Sequence, residues 1–163
     1  KRQEVAMKTV FAHCDIPCGI YDPHLAQVSA LTIIRMNQLI AELPKPGPQT
    51  TPEERDAYVH KLSRYTAVKE EHAELCKREL RVLWGDYFTP EHLKQYTELH
   101  TLFWETMKLA SKVRQEVNLQ AAQDLLAKVQ KITEIFWKTK GADTKRQPSL
   151  QKAGGELVYP SPK

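Results

Sequence analysis

Glycine is scarce in this 163-residue chain, with six residues, and cysteine is scarcer still, with three. So little glycine argues against an all-β protein. Three cysteines do not build the even-numbered framework of a small secreted domain. The thiols are therefore expected to stay free, in a reducing compartment. No window approaches the roughly 18 consecutive apolar residues of a membrane span, and no membrane partner is expected. Neither sign of charge dominates: 24 Lys and Arg stand against 20 Asp and Glu, a net charge of +4, with the basic residues interspersed among Glu. A nucleic-acid partner calls for a basic stripe or a reading motif, and the sequence shows neither. The mild positive balance suits a small anionic substrate, whose arrival it speeds. Residues 1–12, KRQEVAMKTVFA, are too short and too charged in their apolar part for a secretory signal. A cytoplasmic location is expected, with an organellar address in those residues left open.

What the chain does have is helix, on a length that suits one core plus tails. Asp22 followed by Pro23 is a helix-entry signal, and Leu25, Val28, Thr32, Met36, Leu39 and Leu43 then recur at helical spacing up to Pro44. Thr51, Pro52 and Glu54 form a capping box ahead of a long helix. Its broad face carries Val59, Leu62, Thr66, Ala73, Cys76, Leu80 and Leu83, with Gly85 placed to end it. Thr89 and Pro90 open a short helix. Thr97 precedes a third long pattern through Leu99, Leu102, Phe103, Thr106, Ala110 and Val113. Asn118 caps a fourth, with Ala122, Leu125, Leu126, Val129, Ile132 and Phe136 inward and Gly141 closing it. These patterns predict an all-α fold, an antiparallel up-down four-helix bundle over residues 24–141. Residues 142–163 show no periodicity and are expected to form a flexible tail. A bundle by itself says nothing about activity.

The chemistry concentrates in HCDIPCG, residues 13–19. Cys14 and Cys18 have the spacing to share a helix face, but Pro17 pushes Ile16 out of the helical region and Gly19 permits a positive φ. The stretch reads instead as a hook that folds both thiols inward. Thiolates are soft donors and imidazole suits Zn, Cu, Fe or Ni. Structural zinc wants four side-chain ligands, and the hook offers His13, Cys14 and Cys18, with Asp15 awkwardly placed as a fourth. If a deprotonated backbone amide ligates as well, the site becomes planar, which favours Ni(II) or Cu(II). Taken alone, His-Cys-x₃-Cys reads more readily as a thiol redox pair or a partial zinc site than as a set of nickel ligands.

The longer stretch HCDIPCGIYDP, residues 13–23, resembles the nickel-binding hook of the nickel-containing superoxide dismutases, His-Cys-Asp-x-Pro-Cys-Gly-x-Tyr, at every fixed position. The likeness continues more loosely through KEEHAEL, VLWGDYF, YTELH and IFWKTK. It implies a four-helix bundle assembled as a homohexamer, a nickel ion as cofactor and superoxide as substrate. By the same resemblance, Cys14 gives its thiolate and its backbone amide nitrogen, Cys18 a second thiolate, and His13 its α-amino nitrogen and its imidazole. Asp15, Pro17 and Gly19 shape the hook, while Tyr21 and Tyr87 gate the approach to the metal. An α-amino ligand requires His13 to be the first residue. Residues 1–12 are thus expected to be a leader, cut between Ala12 and His13 by a maturation peptidase. Some members support the axial imidazole with a Glu and an Arg, and Ser29 and His72 stand at those places here. A lost partner of that kind commonly costs about 10–100-fold in affinity or activity. The second reading, from another class, is a non-catalytic helical bundle that binds metal or a partner through the hook. His72 and Cys76, four apart on one helix face, read as a core pair rather than as ligands.

Overall fold

A computed structural model describes residues 19–161. The expected leader and the hook positions His13, Cys14, Asp15, Pro17 and Cys18 lie outside the described residues. The described chain runs α1 (His24–Glu42), α2 (Pro52–Val82), a π-helical turn (Leu83–Tyr87), α3 (Pro90–Gln95), α4 (Leu99–Gln115), α5 (Leu119–Thr139), β1 (Asp143–Pro148) and β2 (Glu156–Ser161). The four long helices make the bundle, and α3 is the short helix that Thr89 and Pro90 announce.

The N-caps of α2 and α5 are where the sequence puts them. Thr51 and Glu54 bond each other's backbone amides at the start of α2, with Pro52 at the first helical position. Asn118 Oδ1 accepts from the Ala121 amide at 3.0 Å. At α1 the entry falls one residue later than expected: the helix begins at His24 with Pro23 as its N-cap residue, and the Asp22 carboxylate accepts the His24 amide at 2.8 Å. Gly141, at φ +73°, takes the left-handed conformation that closes α5.

The inward faces of α4 and α5 are the predicted ones, with Phe103, Val113, Leu125, Val129, Ile132 and Phe136 fully buried. Two expectations for the other helices need correction. In α1 the buried residues are Ala26, Gln27, Ser29, Ala30, Leu31, Ile33, Ile34 and Asn37, whereas Leu25 and Val28 of the predicted stripe are 52% and 37% exposed. This helix is apolar on two faces, and spacing alone points to the outer one. In α2 only the second half enters the core, through Ala73, Cys76 and Leu80, while Val59 is 60% exposed. The cause is length: α2 has 31 residues against 17 in α4, so its first turns project past the end of α4.

Gly85 does not end α2 either. It lies within the π turn, where the Phe88 amide reaches the Leu83 carbonyl five residues back at 3.0 Å.

The expected flexible tail is a hairpin. β1 and β2 pair antiparallel with Asp143 opposite Ser161 and Pro148 opposite Glu156. Leu157 and Val158 are buried, and the hairpin is fastened by amide side chains of the bundle. Gln27 donates to the Val158 carbonyl at 3.1 Å and accepts its amide at 2.8 Å, as a neighbouring strand would. Gln38 and Gln130 donate to the carbonyls of Ala153 and Glu156.

Lys69 is buried to 2% exposure, and its ammonium group donates to the carbonyls of Val113, Arg114 and Glu116 at 2.9, 3.0 and 2.7 Å. These are carbonyls at the end of α4 and just beyond it, where a helix runs out of amide partners. A cation there also suits the negative end of the helix dipole.

Candidate functional site

Tyr21 comes two positions after Gly19 on the short extended stretch before α1, and Gly19 holds φ +77°, the conformation foreseen for it. Tyr87 ends the π turn. The two rings meet with centroids 5.5 Å apart, tilted by 56°. The structure therefore joins the two predicted gate residues where the chain from the hook enters the bundle.

Tyr87 is held from several sides. Phe136 of α5 lies 4.5 Å from it, centroid to centroid, and Phe88 meets it edge-on at 5.1 Å. His92 of α3 stacks on it at 5.7 Å with 18° between the planes. Its hydroxyl lies 2.6 Å from Thr139 Oγ1 at the end of α5. The Lys140 ammonium sits 5.4 Å from the Tyr87 ring centroid and 5.1 Å from that of Phe136, a cation–π arrangement that brings positive charge to the tyrosine pair. His92 is fixed in turn, since its Nδ1 accepts the Thr89 amide at 3.2 Å in a capping box with histidine in the glutamate position.

The remaining predicted positions behave differently. Ser29 is buried and donates to the Leu25 carbonyl at 2.7 Å, four residues back in its own helix. His72 Nδ1 lies 2.9 Å from the Val68 carbonyl, so this nitrogen carries the proton. Each therefore has one polar contact within its own helix, and the imidazole they were expected to support lies outside the described residues. Cys76 is fully buried, and burial, with Glu79 nearby adding to it, pushes its thiol up to about 12. It packs as a core residue of the bundle.

Among the described residues no three His, Cys, Asp or Glu side chains come together as a metal site. The donor set that suits nickel is that of residues 13–18: two thiolates, an imidazole and backbone nitrogen, soft and strong donors compatible with a planar ion. Tyr21 stands just after it in the chain, and the fold brings Tyr87 to Tyr21. Thr139, Lys140, Phe136 and His92 were not foreseen as site residues. Phe136, Thr139 and Lys140 fall in IFWKTK, a stretch of the looser likeness, and His92 is the third residue after Thr89.

Comparison with known proteins shows the family. Residues 8–140 match the family described as nickel-containing superoxide dismutase. The nickel superoxide dismutase of Streptomyces coelicolor is 38% identical over 134 residues, which is 82% of this chain and 92% of that protein. That of Streptomyces seoulensis is 38% identical over 133 residues, with the same coverage. A crystal structure of a nickel-containing superoxide dismutase with nickel ligation corresponding to the oxidised state superimposes with a TM-score of 0.68 at 37% identity, over 80% of this chain and all of that one. The family match stops before the hairpin begins at Asp143.

Proposed function

The chain belongs to the nickel-containing superoxide dismutase family, and from that premise we propose how its own residues carry the reaction. It is an oxidoreductase that converts superoxide to oxygen and hydrogen peroxide with nickel as cofactor. His13, Cys14 and Cys18 would hold the metal, His13 through its α-amino nitrogen and imidazole, Cys14 through its thiolate and amide nitrogen, and Cys18 through its thiolate. Bound there, nickel supplies one-electron chemistry between Ni(II) and Ni(III), the electron-rich donors favouring the higher state.

The rest is work for the protein. Asp15, Pro17 and Gly19 shape the hook. Tyr21 and Tyr87 narrow the approach, so that a small molecule reaches the metal and a larger one does not. Lys140 gives the approach a positive charge that favours entry of an anion. A maturation peptidase frees the His13 amine by cutting after Ala12. The observation that carries this reading is the Tyr21–Tyr87 contact, made between residues 66 positions apart at the point where the signature rejoins the bundle.

The test is metal exchange on the chain that begins at His13. Nickel-loaded protein is expected to remove superoxide, and chelation to abolish this. Reloading with nickel is expected to restore it, and reloading with zinc to fail. A nickel-loaded chain that leaves superoxide untouched would instead be the non-catalytic bundle.

The assembly we expect is a homohexamer, and the outer face of α1 supports it. Val28, Thr32 and Met36 line a groove with Ala153 and Tyr159 of the hairpin segment, and Arg35 and Glu42 are the only Asp, Glu, Lys or Arg residues in this helix. A helix apolar on both sides wants cover on both sides. Val28→Glu is expected to break the hexamer into smaller species in sedimentation. A wild-type mature chain that sediments as a monomer overturns the assembly.

A further inference from the structure

The hydrogen bond between Tyr87 and Thr139 has a direction, and the direction is set by the end of α5. Thr139 Oγ1 lies 2.7 Å from the Phe136 carbonyl and 2.6 Å from the Tyr87 hydroxyl. A threonine hydroxyl has one proton, and a carbonyl only accepts. The contact with Phe136 therefore uses the threonine proton. In a continuing helix the Lys140 amide would bond the Phe136 carbonyl, but it turns to Trp137 at 3.1 Å, which leaves that carbonyl to Thr139. The other contact then closes only if the tyrosine donates.

We infer that Thr139 is a positioning residue for Tyr87: it engages the phenolic proton and leaves Tyr87 facing the site as a hydrogen-bond acceptor. This rests on the gate role proposed above for Tyr87. An acceptor at the gate discriminates by protonation. Water and hydrogen peroxide carry protons to offer it, while superoxide carries none. In this arrangement Tyr87 holds protonated species, and the incoming anion is received by the charge of Lys140. The gate thus treats substrate and product differently although both are two-oxygen molecules.

Two readouts test this, one of them independent of nickel. In ultraviolet resonance Raman of the apo chain, the wild-type minus Tyr87→Phe difference is expected to show the Fermi doublet of a donating phenol. Thr139→Val is expected to remove that signature and Thr139→Ser to keep it. In the nickel-loaded mature enzyme, azide serves as an aprotic monoanion in place of superoxide. Thr139→Val frees the phenolic proton for it, and inhibition is expected to tighten roughly tenfold, the worth of one hydrogen bond to a charged group. Thr139→Ser is expected to inhibit as wild type. An unchanged doublet and unchanged azide inhibition in Thr139→Val overturn the inference, as does a Thr139→Ser variant that behaves like Thr139→Val. If Tyr87→Phe alters neither turnover nor azide inhibition, the gate role fails, and the doublet still decides the direction of the bond.

Discussion

Cutting the chain after Ala12 is expected to raise superoxide removal by well over the roughly 100-fold that loss of a mere supporting partner of a metal ligand costs. The reason is the donor at His13. A free α-amino group sheds its proton near pH 8, so it is a usable ligand close to neutrality. The same nitrogen inside the Ala12–His13 peptide bond is a neutral amide, which binds a metal only after losing a far less acidic proton. Uncut protein keeps its thiolates and imidazole yet lacks one strong donor. A chain that retains Ala12 alone is the sharper control. It carries almost no extra bulk, so activity as low as that of the full leader form assigns the loss to the amine rather than to obstruction. Superoxide decay and bound nickel, measured on the three forms, decide it; equal activity in all three removes the amine from the ligand set.

Replacing Lys69 by methionine is expected to cost about 3 kcal/mol, because one change strips the donor from three carbonyls. Methionine fills much the same volume, so the loss is polar rather than a cavity. For a protein of this size that lowers the melting temperature by roughly 6–12 °C, and a shift within about 2 °C of wild type would show that the carbonyls find water instead. The variant has a second signature in pH. Burial lowers the pKa of Lys69 below 10.5, against the raising influence of Glu70 and Glu116. Between the lowered value and 10.5 the unfolded chain binds the proton more readily than the folded one. Stability from this group therefore rises with pH across that window and is constant below it, and Lys69→Met should flatten that rise.

Sequence periodicity was enough for α4 and α5, where a single apolar stripe faces a charged one. It failed for α1 because two stripes compete there. Leu25, Val28, Thr32 and Met36 are as regular as Ala26, Ala30, Ile33 and Asn37, and spacing cannot say which side the neighbours occupy. Size misled as well, since the inner face uses alanines that allow close helix approach. The hairpin was illegible for a different reason. β1 reads DTKRQP, almost wholly exposed and without an apolar stripe; Arg146 ties it to Glu134 and Gln130, while glutamines hold β2 and the turn. The Gln27–Val158 pair spans 131 positions. Lys69 looked like one more solvated helix cation, and nothing local marks it as a cap for a helix 44 residues away.

The site divides along the same line. The proposed metal donors lie outside the described residues, but the two tyrosines that the structure brings together were legible, Tyr21 in the compact signature and Tyr87 in VLWGDYF. The residues around Tyr87 were not, because Thr139 lies 52 positions from it and reaches it only through the fold.

The widened coil between α2 and α3 sets two demands against each other. A regular α-helical path through Leu83–Tyr87 would give better backbone bonding, but each residue gained or lost rotates the downstream chain by about 100°. Tyr87 would then swing away from Tyr21, so the irregular winding acts as the indexing pin of the gate. At this turn, a shift of one residue would uncouple the bundle from the chemistry it serves.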